Sequence, residues 1–164
     1  MKTTTKFFYW IHLFLLGFLA LGALGGGFTL IISPNGKLIG MPLSMLAQSP
    51  FNNFLVPGII LFVVLGVFPA LLIVGLIKKT ASNLAEQFNF FTDIHWTWTY
   101  SIYIAFALII WLQVQMIFLN AVGWLHTFYM FLAITIIYVG LLPQVRNNYK
   151  KWSQLLFFHR YEYQ

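Results

Sequence analysis

The sequence predicts an all-α membrane protein: a four-helix transmembrane bundle with a small extracytoplasmic β-hairpin between spans one and two. Three observations carry that reading. Four long apolar runs fill most of the 164 residues, each about as long as the ~20 residues an α-helix needs to cross ~30 Å of hydrocarbon. The chain is 60% hydrophobic and only 7% charged, with a mean hydropathy of +0.83. Its basic residues flank the runs instead of interrupting them. So little apolar material lies outside the runs that no separate soluble core is expected. The organisation read from the sequence is one domain over 1–164, with spans at about 7–26, 54–77, 98–119 and 124–142. An outward segment over 27–53 and a cytoplasmic amphipathic tail over 144–164 complete it.

Span one follows Lys2 and Lys6. A charged start, an apolar stretch and small residues also describe a secretory signal peptide. A retained helix is preferred, because the stretch exceeds a signal core and no clear Ala-x-Ala site follows it. Span two opens near Phe54, with Pro57 suited to a first helical turn, and stops before Lys78 and Lys79. Pro69 inside it removes a backbone donor, so a kink is expected there. Asp93 is the expected N-cap of span three. A tight turn around Asn120 to Gly123 leads into span four, which ends before Pro143.

Lys2, Lys6, Lys78, Lys79, Arg146, Lys150, Lys151 and Arg160 fall on one side of the spans and only Lys37 on the other. Positive charge is retained on the cytoplasmic side, which predicts both termini inside. The same placement argues against nucleic acid as the partner of the +6 net charge, since such a site gathers its basic residues on one exposed patch.

The hairpin expectation rests on two β-prone or apolar stretches, Phe28 to Ile32 and Lys37 to Met41, around the turn-forming Ser33-Pro34-Asn35-Gly36. Residues 42–48 after it read as a short interfacial helix opened by Pro42. Beyond span four, Lys150, Lys151, Trp152 and Arg160 mix with apolar residues. That pattern predicts a basic amphipathic helix lying on an anionic leaflet.

Polar groups at membrane depth are costly and are the first places to look for function. Gln113 and Gln115 lie within span three, two positions and about 200° apart on a helix, so both cannot face one cavity. With Asn120 in the outer turn and His126 at the start of span four, they are the candidate ligand contacts or interhelical polar contacts. His12 and His95 fall near the cytoplasmic ends of spans one and three. Paired imidazoles from two helices are one way a bundle holds haem iron, although no CxxCH motif is present and no cofactor or metal is expected.

Most enzymology is closed off. There is no cysteine, which removes thiolate chemistry and zinc–cysteine sites. Glu86, Asp93 and Glu162 are the only carboxylates, and none falls within a span.

Several segments together resemble a group of small bacterial integral membrane proteins with four spans and no assigned function. They are Gly25-Gly26-Gly27, Ser33-Pro34-Asn35-Gly36, Gly40-Met41-Pro42, Ser49-Pro50-Phe51, Phe54-Leu55-Val56-Pro57-Gly58, Trp111-Leu112-Gln113-Val114-Gln115 and Leu141-Leu142-Pro143. The resemblance implies a bacterial cytoplasmic membrane and carries no activity. The leading functional expectation is a non-enzymatic structural or accessory subunit, in contact with the bilayer and with a second copy or a membrane-protein partner. The alternatives are a small-molecule or lipid binder or carrier, with a cavity under the outward hairpin, and a haem-binding electron carrier.

Overall fold

The computed structural model describes residues 2–120 and 122–151. Four helices are long and apolar enough to cross a membrane: Thr4–Ile32, Leu55–Lys78, Trp96–Leu119 and Trp124–Leu141. In chain order they pack in a ring, span one against two, two against three, three against four, and four back against one. Large apolar side chains such as Phe14, Leu71, Ile110 and Phe131 stay exposed on the outside of the ring. Leu16, Leu65, Trp98, Ala105 and Ile136 fill its centre.

The expected β-hairpin is absent; among the described residues there is no β-strand, only an isolated bridge between Ile94 and Lys150. The helix of span one continues through Phe28 to Ile32, so the stretch expected as the first strand forms its last turns. Two physical causes are visible. Within a membrane the backbone polar groups of an apolar stretch must be satisfied internally, and helix does this where a lone two-stranded ribbon does not. The glycines ahead of the stretch do not break the helix, and Gly27 serves as a contact point. A Cβ on Gly27 would lie 2.7 Å from the Phe62 backbone nitrogen, and one on Gly58 2.7 Å from Leu30 Cβ.

The turn chemistry itself is present. Gly36 N–H donates to the Ser33 carbonyl over 2.9 Å, Gly36 sits at φ 72, and the Asn35 side chain accepts from Lys37 N–H at 3.1 Å. The chain then forms a 3-10 turn at Lys37–Ile39 in place of the second strand, and a short 3-10 helix at Leu43–Leu46, capped by Pro42, where a short helix over 42–48 is expected. Leu30, Leu46 and Phe54 bury one another beneath this segment, and Phe54 N–H closes it by donating to the Pro34 carbonyl over 2.8 Å. The product is a small irregular cap over one end of the bundle, outer only in the sense that it bears the cap, the opposite end being the inner one.

Span two carries a π-helical stretch, Leu61–Val67, directly ahead of Pro69. Phe68 N–H donates to the Val63 carbonyl five residues back. Pro69 has no N–H, and its ring crowds the carbonyl four residues earlier, so the preceding turns widen to re-pair their groups.

At the inner end the N-cap of span three is His95, whose ring accepts from Thr97 N–H, and not Asp93. Asp93 faces Arg146 at 3.6 Å and its carbonyl accepts from Lys151 N–H at 3.0 Å. After span four, a short helix at Pro143–Arg146 and a 3-10 turn at Asn147–Tyr149 turn the chain back. The returning chain pairs with the inner loop, where His95 N–H donates to the Tyr149 carbonyl over 2.8 Å.

Candidate functional site: a cavity beneath the outer cap

A cavity of about 430 Å³ opens between spans one, three and four, under Met41 and Met45 of the outer cap. Its volume falls in the ~300–1,000 Å³ range of small-molecule sites. Helical spacing builds its walls. Leu19, Gly22, Ala23 and Gly26 recur at i, i+3, i+4 and i+7 on one face of span one, and the small residues among them leave the space. Leu108, Trp111, Leu112, Gln115 and Leu119 form the facing stripe of span three. Leu125, His126 and Tyr129 come from span four. The Tyr129 hydroxyl rests against Gly22, where any side chain would displace it.

A second space of about 180 Å³ adjoins the first and shares Gly26, Met41, Leu61, Trp111, Gln115 and Leu119 with it. It extends under the cap towards Phe51, Phe54 and Phe118. A third, of about 200 Å³, lies between spans two and three and is lined by Val64, Ala107, Ile110 and again Trp111. Trp111 is the side chain common to all three.

The lining is apolar apart from a few groups. Among the described residues, no Lys, Arg, Asp or Glu lines the main cavity. His126 Nδ1 accepts from Gly123 N–H at 3.0 Å, so the imidazole carries its proton on Nε2 and presents it as a donor. The indole N–H of Trp111 is buried and has no acceptor among the described residues. A buried donor left in that state costs about 1–3 kcal/mol, so the Trp111 N–H has something left to bind, as have the Gln115 amide and the Tyr129 hydroxyl in the same lining, which make no hydrogen bond among the described residues.

The candidate residues named from sequence are dispersed. Gln115 lines the main cavity and its extension, and His126 lines the main cavity, whereas Gln113 is exposed on another face of span three. Asn120 is an exposed C-cap in the left-handed conformation, at φ 45. His12 is fully buried in the inner half of the bundle, with Nε2 3.0 Å from Ser101 Oγ. His95 keeps Thr97 Oγ1 at 2.9 Å from Nδ1 and stacks on Trp96. The two histidines thus have separate partners. Among the described residues no group of three His, Cys, Asp or Glu is placed to hold a metal. Lys150 is exposed, while Lys151 donates to Glu86 at 2.7 Å and to the Thr92 carbonyl at 3.1 Å, which draws it into the inner loop. Trp152 and Arg160 lie outside the described residues.

No protein-family model, curated protein or solved structure matches the chain. Four helices long and apolar enough to cross a membrane are what marks it as a small membrane protein.

Outside the spans, the inner loop shifts its ionisable groups. Partial burial holds the His95 imidazole below its ordinary 6.5, with the charge of Glu86 opposing. For Glu86, burial raises the carboxyl, but hydrogen bonds from Asn89 and Lys151 and the charge of Lys151 outweigh it and leave the group below 4.5. Burial, with Tyr9 nearby, pushes the Tyr149 phenol up. Glu86 Oε2 also accepts from Asn89 at 2.9 Å, and Asn89 accepts from Thr99 at 2.5 Å. These groups form a network that braces the loop onto span three.

Sequence reasoning missed Trp111 and Tyr129. Aromatics at helical spacing in an apolar span carry no signal that separates a cavity wall from packing. Gly22 and Gly26, four residues apart on one helix face, both line the cavity.

Proposed function

We propose that this chain is a non-enzymatic multi-pass membrane protein that holds a lipid-like molecule in the outer half of its bundle. The cavity of about 430 Å³ beneath Met41 and Met45 carries the reading. Its walls are apolar, it lies between helices at membrane depth, and its few polar groups sit on spans three and four, an arrangement typical of small-molecule sites. The distribution of Lys and Arg supports an orientation with both ends in the cytoplasm. In that orientation the cap faces outward and the cavity lies at the level of the outer leaflet. The likeness to small bacterial four-span proteins supports a place in a bacterial cytoplasmic membrane.

The alternative of a structural or accessory subunit draws on a different surface. On the inner loop, Leu84, Phe88 and Phe90 are exposed at 70%, 64% and 86%, beyond the end of span two. Such side chains suit the leaflet boundary, a second copy of this chain or a membrane-protein partner.

Native mass spectrometry of the chain released gently from its own membrane tests the two together. A discrete added mass at fixed stoichiometry is expected, and it should be lost in Leu108→Trp, which fills the cavity. A bare chain, or one carrying only heterogeneous phospholipid, rejects the binder. A protein subunit at fixed ratio in that spectrum turns the assignment to the accessory role.

A further inference from the structure

We infer that the ligand of this cavity is a long-chain lipid ending in an uncharged oxygen acceptor, a carbonyl or hydroxyl, recognised by the N–H donors of His126 and Trp111. The inference rests on the cavity-binding reading and specifies the chemistry of what is bound. Three observations lead to it.

The first is the sign of the polar groups. His126 Nδ1 is occupied by Gly123 N–H, which makes Nε2 a donor that no described residue accepts from. Trp111 Nε1 can only donate and is buried without a partner among the described residues. Both side chains line the same cavity. Gln115 and Tyr129 line the same cavity and can donate or accept, so an oxygen acceptor is the one group that all four polar side chains can meet, and a carbonyl oxygen brings two lone pairs.

The second is charge. With no Lys or Arg among the described residues around the main cavity, a carboxylate or phosphate entering it would lose its hydration without gaining a counter-charge, which is strongly unfavourable. An uncharged oxygen meets the donors without that desolvation.

The third is shape. His126 and Tyr129 line the main space alone and Trp111 and Gln115 line both spaces, while beyond them the extension runs under Phe51, Phe54 and Phe118 with only apolar side chains. One polar end and one elongated apolar region match a single chain with its oxygen held at the His126 and Trp111 wall. A compact apolar solute would leave both donors unmet.

The test uses the full chain in detergent with three probes of equal carbon number: methyl tridecyl ketone, pentadecanoic acid and pentadecane. Unfolding temperature is followed against the mole fraction of each probe, which reports affinity because a ligand of the folded state alone raises stability with its concentration. The ketone should bind at least tenfold more tightly than the alkane, and more tightly than the acid near neutral pH. His126→Phe should bring the ketone down to the level of the alkane. Because His126 also caps span four, Trp111→Phe provides the second variant; it removes one N–H, leaves the cap intact and should likewise reduce the preference. Equal affinity for ketone and alkane, or a preference that survives both substitutions, overturns the inference and leaves the cavity as an apolar site. A preference for the acid overturns the uncharged headgroup. If none of the three probes binds, the cavity reading fails and this inference fails with it.

Discussion

His12 Nε2 and Ser101 Oγ meet at 3.0 Å, joining spans one and three across a ring in which their principal packing partners are spans two and four. Ser101 Oγ in turn donates to the Trp98 carbonyl over 2.6 Å, and Trp98 Nε1 donates to the Gly140 carbonyl over 2.8 Å. Three helices are therefore held by one buried chain of hydrogen bonds. With the Ser101 proton directed at Trp98, the hydroxyl accepts from His12, which is then the Nε2–H tautomer. Its Nδ1 has no partner among the described residues.

Replacing Ser101 by Ala should destabilise the protein by about 1–2 kcal/mol. An interhelical hydrogen bond in a membrane averages only ~0.6 kcal/mol, but here the substitution also leaves the imidazole with neither nitrogen paired, and orphaning a buried group adds about 1–3 kcal/mol. The second effect dominates. It follows that the double variant His12→Leu with Ser101→Ala should lose less than Ser101→Ala alone. Thermal unfolding in detergent, followed by circular dichroism, reads both. A double variant less stable than the single one would show that packing, not polarity, governs this position.

Gly27 and Gly25 make a paired test of the seam between spans one and two. A Cβ at Gly27 would stand 2.7 Å from both the Phe62 nitrogen and its Cβ, while Gly25 has nothing within 4 Å. Gly27→Ala must push the two helices apart and should cost about 1–3 kcal/mol, the usual scale of overpacking. Gly25→Ala should be neutral or stabilise by up to ~1 kcal/mol, because alanine is the better helix former. The unfolding temperature should fall in the first variant and hold or rise in the second. Equal losses in both would place the cost in the helix itself and not in the seam.

The inner loop should make stability depend on pH. His95 binds a proton less readily when folded than at its ordinary 6.5, so the unfolded state takes up the proton first, and stability present above about pH 6.5 is lost on acidification. Glu86, held below 4.5, adds a second loss of the same sign as pH falls past that value. Unfolding temperature measured from neutral pH downward should therefore decline in both ranges. His95→Asn, which preserves an N-capping side chain, should flatten the upper part of the decline, and Glu86→Gln the lower part. If both variants keep the parent's full profile, the dependence comes from elsewhere in the chain.

The four spans were legible because length, hydropathy and flanking lysines report the same physical requirement. The outer cap was not. Ser33-Pro34-Asn35-Gly36 encodes a turn whatever flanks it, and Phe28 to Ile32 is β-prone but also apolar enough to prolong a membrane helix. β-Propensity depends on context, and here the stretch continues the apolar helix of span one. At the site, Gln115 was visible as polarity at depth. Trp111 was not, because its significance is a buried N–H without an acceptor, a property of the fold around it. The returning segment that brings Tyr149 to His95 was hidden for the same reason: its pairing is between backbone groups distant in sequence.

The two glutamines of span three offer the sharpest separation between binding and packing. Gln115 lines the main cavity and its extension beneath the cap, whereas Gln113, two positions away, is exposed on another face of the same helix. Substituting either by Leu removes the same amide from the same apolar span, so any general effect on insertion or helix stability should be shared. Loss of an interhelical contact at either position is limited to about 1 kcal/mol. Only Gln115→Leu changes the wall of the cavity. Affinity for methyl tridecyl ketone, measured by its effect on unfolding temperature, should fall several-fold in Gln115→Leu and stay at the parent value in Gln113→Leu. An equal loss in both would place the determinant in the helix as a whole. No loss in either would remove Gln115 from the site and leave the donors of His126 and Trp111 as its polar contacts.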